Sequence, residues 1–196
     1  MITFVWMKII FASQNPNKLK EIQSKLSAFE ITGLSNATFP DELKETGLTL
    51  EENARQKAQQ VWDKTQHACF ADDTGLEVEA LNGAPGVFSA RYAGDQKNAE
   101  DNMHLLMQNL KGETHRIARF RTVISLCLEG VFYTFEGICE GKIIHEKKGS
   151  YGFGYDPIFV PKGSSKTFAE MTLDEKAIIS HRALAMDKLV TFLTQR

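Results

Sequence analysis

Residues 8 to 13, KIIFAS, form a compact apolar run that passes almost directly into Asn15-Pro16. An unbroken run of this length suits a buried strand. Asparagine is a favoured helix N-cap, and proline fits the first helical position, where its missing N–H would have no partner anyway. The following KLKEIQSKLSAF carries apolar residues at 19, 22, 26 and 29, the spacing of one helix face. Strand, tight loop and helix in succession make an α/β fold the expectation.

The pattern continues. Thr49-Leu50-Glu51-Glu52 has the form of a capping box opening a helix through about Lys64, and HACFADD (67–73) is the next predicted strand, ending at the acid pair. A loop rich in glycine and proline covers 82–95, and residues 96–110 read as helix. From 116 to 146 apolar and polar residues alternate between turn-like glycines, predicting two or three long antiparallel strands. Gly149 to Gly154 is a turn, PIFVP (157–161) a short strand, and Thr172-Leu173-Asp174-Glu175 a second capping box before a C-terminal helical region. Residues 35–48 show no period and read as loop. With no repeat or linker, residues 1–196 are expected to form a single α/β domain with a mixed sheet and polar clusters at strand ends.

A hydrophobic content of 42% supports one well-packed core, and the net charge of −2 gives no general field for nucleic acid. Any affinity for anions must be local. Cys69, Cys127 and Cys139 are odd in number, form no CxxC pair and sit in apolar stretches, so buried free thiols in a reducing, cytoplasmic setting are expected. The leading MITFVWMKIIFAS lacks a basic n-region and a cleavage site and is roughly half the length of a membrane span. It reads as the first strand with a short tag ahead of it, Met7 being an alternative start.

Four clusters carry chemistry. In SQNPNK (13–18), a capped helix start directs free N–H groups and a positive dipole end at one spot, and Lys18 adds a full charge. An anionic ligand would make that sign favourable; the plainer alternative is a loop with a solvated lysine. Asp72-Asp73 would repel each other unless a divalent ion lies near, and hard oxygen ligands beside phosphate imply magnesium. The alternative there is a turn-forming pair before Thr74-Gly75. Glu45, in KETG, is a further candidate ligand or plain surface. YGFGYDP (151–157) sets aromatic rings among glycines, where a nucleobase could stack and Asp156 could accept from a ring N–H, or where a turn is simply anchored. In EKAIISHR (175–182), His181 and Arg182 would lie about 140° and about 240° around a continuous helix from Lys176. A helix break, with Ser180 capping a new helix over about 181–194, would let all three face one ligand; the bland reading is a solvated basic face.

Taken in order, SQNPNK, ETGLTLEENARQKA, FADDTGLEVEALNGAPGVFSARYAG, GFGYDPIFVP and TFAEMTLDEKAIISHRALA resemble the inosine triphosphate pyrophosphatase (Ham1/RdgB-like) family over nearly the whole chain. The resemblance implies an elongated mixed-sheet α/β fold, two lobes around a central nucleotide-binding cleft, and commonly a homodimer. It also implies a Mg2+-dependent hydrolase that converts ITP, dITP and XTP to monophosphate and pyrophosphate, keeping them out of DNA and RNA. Nucleic acid and membrane are not expected partners.

Carried over by motif, Asp73 is the proton acceptor and a metal ligand, and Ser13, Gln14, Asn15, Asn17 and Lys18 form the phosphate segment. Lys57 and Thr74 match substrate-contacting positions. Phe153, Gly154, Tyr155 and Asp156 match the base-binding FGYD, while Lys176, His181 and Arg182 match residues lining the nucleotide pocket. Arg91 is a further expectation, toward the phosphates. The base would be read by His181 or Arg182 donating to the C6 oxygen of hypoxanthine or xanthine. Where the family often has two acids before Thr-Gly, this chain has Lys44 and only Glu45. Two rivals from other classes remain. A haloacid-dehalogenase-type phosphatase would need Asp-x-Asp where this chain has adjacent acids, and a nucleotide sensor would keep the pocket without turnover.

Overall fold

Each apolar run becomes a strand, but the strand bearing the acid pair does not stop where the sequence predicts. In the computed structural model, which describes residues 8–25 and 29–195, β1 is Lys8–Phe11, α1 Pro16–Lys25, β2 Glu30–Thr32, α2 Leu50–Thr65 and β3 Cys69–Val78. Next come β4 (Pro85–Gly86), α3 (Ala99–Asn109), β5 (Ile117–Leu128), β6 (Val131–Ile143), β7 (Phe159–Pro161), α4 (Leu173–Ile179) and α5 (His181–Thr194). The strand order is β2-β1-β3-β5-β6-β7, with β4 pairing β3. β1 runs parallel to both β2 and β3, whereas β4 and β7 pair antiparallel with β3 and β6, so the sheet is mixed.

The chain forms two compact units. The first comprises Met1–Asp73, Val123–Phe135 and Ala185–Arg196; the second comprises Thr74–Thr122 and Glu136–Leu184. In the first unit, Phe11, Phe70, Ile124 and Leu126 bury one sheet face with Ile22 of α1 and Met186 and Leu189 of α5. Cys69, Ala71 and Cys127 bury the other with Ala58 and Val61 of α2. Both faces are covered, which is why these strands read as unbroken apolar runs. In the second unit, Leu76, Val78, Phe120, Ile143, Ile158, Phe159 and Phe168 surround Met103 and Leu106 of α3.

Local signals place the element ends. Asn15 Oδ1 accepts from the N–H groups of Asn17 (3.0 Å) and Lys18 (3.3 Å), capping α1. Both capping boxes form, at Thr49/Glu52 and Thr172/Glu175. Glu129 and Gly130, with φ of 51° and 80°, make the two-residue turn between β5 and β6, a pattern that joins antiparallel neighbours. Ser180 is extended (φ −72°, ψ 151°), ends α4 and accepts from the Ala183 N–H at 3.2 Å, so the helix breaks where the sequence predicts.

Three expectations need correcting. β3 continues five residues beyond Asp73, because Leu76 and Glu77 pair with Gly86 and Pro85. Gly75 permits that approach, since a Cβ there would lie 2.6 Å from the Gly86 carbonyl oxygen. β2 has no counterpart in the sequence reading: Phe29, expected on the first helix, precedes this strand, and position 26 lies outside the described residues. The helix expected from 96 begins at Ala99, after the Asn98 cap. The tag and alternative start at 1–7 also lie outside the described residues.

Candidate active site

Because β3 runs through the acid pair, Asp72 and Asp73 project to opposite faces of the sheet. Asp72 follows Phe70 onto the α1 side, and Lys18 Nζ lies 3.0 Å from its Oδ1. Asp73 follows Ala71 onto the α2 side, where Asn53 Nδ2 donates to its Oδ2 at 3.2 Å and Lys57 Nζ stands 3.6 Å from Oδ1. The turn-forming alternative is therefore excluded. The two carboxylates coexist because each meets its own cation.

Lys57 also pairs with Glu45, which the structure brings to Asp73 through α2. Residues 53, 56 and 60 lie along one face of that helix and hold the 44–47 segment by its main chain. Gln60 Oε1 accepts from Lys44 N (2.9 Å), Gln56 Oε1 from Thr46 N (2.9 Å) and Asn53 Oδ1 from Gly47 N (2.8 Å). Lys44 is exposed. Gly47 has no room for a side chain, since a Cβ would lie 2.6 Å from the Glu52 Cβ.

Burial lifts the Asp73 carboxyl above its ordinary range, opposed by Lys57 and Lys18. Burial works to lower Lys57, but Asp73, Glu45 and Asp72 together carry it above the usual lysine value. The charge on Lys57 is firm, and Asp73 is the partner suited to taking a proton. On the Asp73 side, two carboxylates, Asp73 and Glu45, face the one ammonium of Lys57, while Lys18 meets Asp72 on the other. Among the described residues no group of three His, Cys, Asp or Glu forms a ready-made metal cage. Magnesium needs none: it is ordinarily held by one or two carboxylates, with water and substrate phosphate completing the shell. Asp73 and Glu45, converging on one ammonium, fit that donor set.

In the SQNPNK segment, Ser13 Oγ accepts from Asn15 N at 3.2 Å, and Gln14 Nε2 donates to the Phe39 carbonyl at 3.0 Å. The N–H groups of Asn17 and Lys18, expected to be free, are taken by Asn15.

The second unit holds the other cluster. Lys176 Nζ lies 2.7 Å from Asp156 Oδ2, with both side chains almost wholly buried, and the Phe153 N–H donates to the same oxygen at 2.9 Å. Lys176 also lies 5.0 Å from the Phe153 ring and 5.3 Å from that of Phe168. Gly152 (φ 73°) lets the turn close over Asp156, since a Cβ there would lie 2.1 Å from Oδ2. Gly154 lies beyond Phe153 at φ 63°. Tyr155 is anchored by its hydroxyl, which donates to the Ser89 carbonyl at 2.9 Å. His181 stacks on Phe120 (4.6 Å, 17°). Arg182 Nη2 donates to Thr74 Oγ1 at 3.1 Å, with its Cζ 5.8 Å from the Phe153 ring. The helix break thus brings Lys176 and Arg182 onto one aromatic ring. Arg91 lies over the Phe88 ring at 5.4 Å. A cavity of about 330 Å³, lined among others by His104, Met107, Arg116 and His145, includes none of the candidate residues.

The Ham1 family profile matches residues 9–192. The chain belongs to the Ham1 family. A dITP/XTP pyrophosphatase of Christiangramia forsetii is 52% identical over 96% of this chain and 100% of its own length. A protein of the same name from Bacillus subtilis is 44% identical over 96% and 98%. Among solved structures, the Ham1 proteins of Staphylococcus aureus and Coxiella burnetii give TM-scores of 0.87 and 0.88, each at 39% identity. They cover 96% and 97% of this chain and 98% and 100% of their own. The mixed α/β fold is thus a Ham1 fold.

Sequence reasoning missed Asn53, Phe120 and Thr122. Asn53 lies inside the quoted ENARQKA motif, but its amide reads as ordinary helix surface until Gly47 and Asp73 are seen on either side. Phe120 and Thr122 read as an alternating strand and nothing more.

Proposed function

We propose that this chain is a nucleoside triphosphate pyrophosphohydrolase that takes ITP, dITP and XTP to the monophosphate and pyrophosphate. One observation carries the reading: Glu45 and Asp73 converge on the single ammonium of Lys57, two carboxylates against one cation. A bare polyphosphate would be repelled there, whereas one accompanied by a divalent cation would be attracted. The names of the relatives, dITP/XTP pyrophosphatases, support the same substrate class.

Asp73 and Glu45 would hold Mg2+, which when bound neutralises charge developing on the phosphates. Asp73, its carboxyl lifted by burial, would accept the proton of the attacking water as the anhydride between the α and β phosphates opens. Lys18 and Lys57, with the Ser13, Gln14, Asn15 and Asn17 side chains, would bind the phosphates. Thr74 would contact the substrate, Phe153, Gly154 and Tyr155 would frame the ring, and Asp156 and Lys176 would brace the turn. Arg91 is assigned to the phosphates from its place in the glycine-rich loop 82–95 alone. His181 or Arg182 donates to a C6 oxygen and would meet a donor if adenine were bound. Sites built on such bonds discriminate by roughly 10⁴–10⁵ when a buried partner goes unpaired.

We take the working form to be a cytoplasmic homodimer, in keeping with the resemblance and with the three buried free thiols. Among the described residues, no helix is long and apolar enough to cross a membrane. The test is a panel of ITP, XTP, dITP, GTP and ATP with Mg2+, following pyrophosphate and orthophosphate separately. Pyrophosphate from the 6-oxo, non-standard nucleotides is expected. Orthophosphate would point to a phosphatase, and binding without turnover to a sensor.

A further inference from the structure

His181 and Arg182 are consecutive residues, yet β5 reaches them differently: Phe120 meets His181 directly, and Thr122, two positions on, meets Arg182 through Thr74 of β3. His181 stacks flat on the Phe120 ring at 4.6 Å. Arg182 Nη2 donates to Thr74 Oγ1, which lies 2.7 Å from Thr122 Oγ1. Positions 120 and 122 share one strand face, since side chains alternate along a strand. Thr122 is fully buried and Phe120 nearly so.

We infer that Phe120 and Thr122 form a template that sets the two base-reading side chains, with Thr122 as a positioning residue for Arg182. Arginine can only donate, so Thr74 Oγ1 is the acceptor in the bond to Arg182. The hydroxyl contact with Thr122, in either polarity, fixes the remaining direction of the Thr74 rotor and therefore the lone pair offered to the guanidinium. A planar donor fork is specific only while its plane is held. Phe120 holds the neighbouring imidazole plane by its flat face. The substitution of interest is therefore in the strand, at a buried residue that acts on the site through Thr74. This inference rests on the base-reading assignment proposed above.

Thr122→Val keeps the shape and removes the hydroxyl, whereas Thr122→Ser keeps the hydroxyl. In Thr122→Val, the ITP-to-ATP ratio of kcat/KM should fall about 3–10-fold, the weight of one neutral hydrogen bond. Most of that change should lie in KM for ITP, and Thr122→Ser should restore the ratio. A second readout needs no nucleotide: the side-chain 15N resonances of Arg182 should show faster guanidinium rotation in Thr122→Val than in the parent or Thr122→Ser. Unchanged Arg182 resonances would overturn the template. Altered resonances with an unchanged ITP-to-ATP ratio would uphold the template and overturn the base-reading role of Arg182. A loss of selectivity shared equally by the serine variant would also contradict the template, because only the hydroxyl is invoked. In Phe120→Leu, the His181 ring protons should lose the upfield shift that a stacked ring imposes; retention of that shift would count against the Phe120 half.

Discussion

Asn53 stands between Gly47 and Asp73, accepting the main-chain N–H of one at 2.8 Å and donating to the carboxylate of the other at 3.2 Å. One buried amide thus fixes both the acid-bearing strand and the segment that carries Glu45. Asn53→Ala frees both. Removing a group that orients a metal or catalytic ligand typically costs 10–100-fold, and a kcat loss of about that size is expected, with the fold retained by circular dichroism. An unchanged kcat would remove Asn53 from the site.

Glu45→Gln keeps the size of the side chain and removes a charge opposite Lys57. The Mg2+ concentration for half-maximal activity should rise by about tenfold, the order expected for loss of a supporting ligand. Lys44 is exposed and tied to α2 only through its main chain, so Lys44→Gln should leave the Mg2+ requirement where it was. Equal effects in the two variants would contradict the assignment of Glu45.

The Lys176–Asp156 pair is nearly solvent-free. Asp156→Ala would leave a buried ammonium without its carboxylate and the Phe153 N–H without its acceptor. Removing one partner of a buried pair costs about 3–5 kcal/mol, which urea unfolding would register as a clear drop in midpoint. A change below about 1 kcal/mol, the scale of a surface pair, would show that the site is wetter than its burial indicates.

Burial pushes the Cys69 thiol up to about 12 and the Cys139 thiol up to about 11. Thiolate is the reactive form, so iodoacetamide at pH 8 should leave both unmodified in the folded protein and label both in guanidinium. Rapid labelling of the folded protein, read by peptide mass mapping, would contradict the packing around β3 and β6.

What could be read from sequence was what local chemistry decides. The capping boxes at Thr49 and Thr172 and the break at Ser180 each depend on a few adjacent residues, and all three formed. The extension of β3 through Thr74-Gly75 was not legible. Asp-Asp-Thr-Gly has turn chemistry, and only pairing with β4 and the approach of Gly86 override it. The opposite facing of Asp72 and Asp73 followed from that missed extension. β2 has three residues, too few for any period to show. Asn53 and Thr122 were hidden for a further reason: a polar side chain in a helix or strand declares its partner only in three dimensions.

The most direct test is Asp73→Asn assayed with ITP and Mg2+ beside the parent protein. The parent should release one pyrophosphate per IMP formed. The variant should fold, bind the nucleotide and lose turnover by several orders of magnitude, the scale on which loss of a catalytic acid–base group is felt. Parent-like turnover by folded Asp73→Asn, or orthophosphate as the parent's product, would contradict the proposed chemistry at its centre.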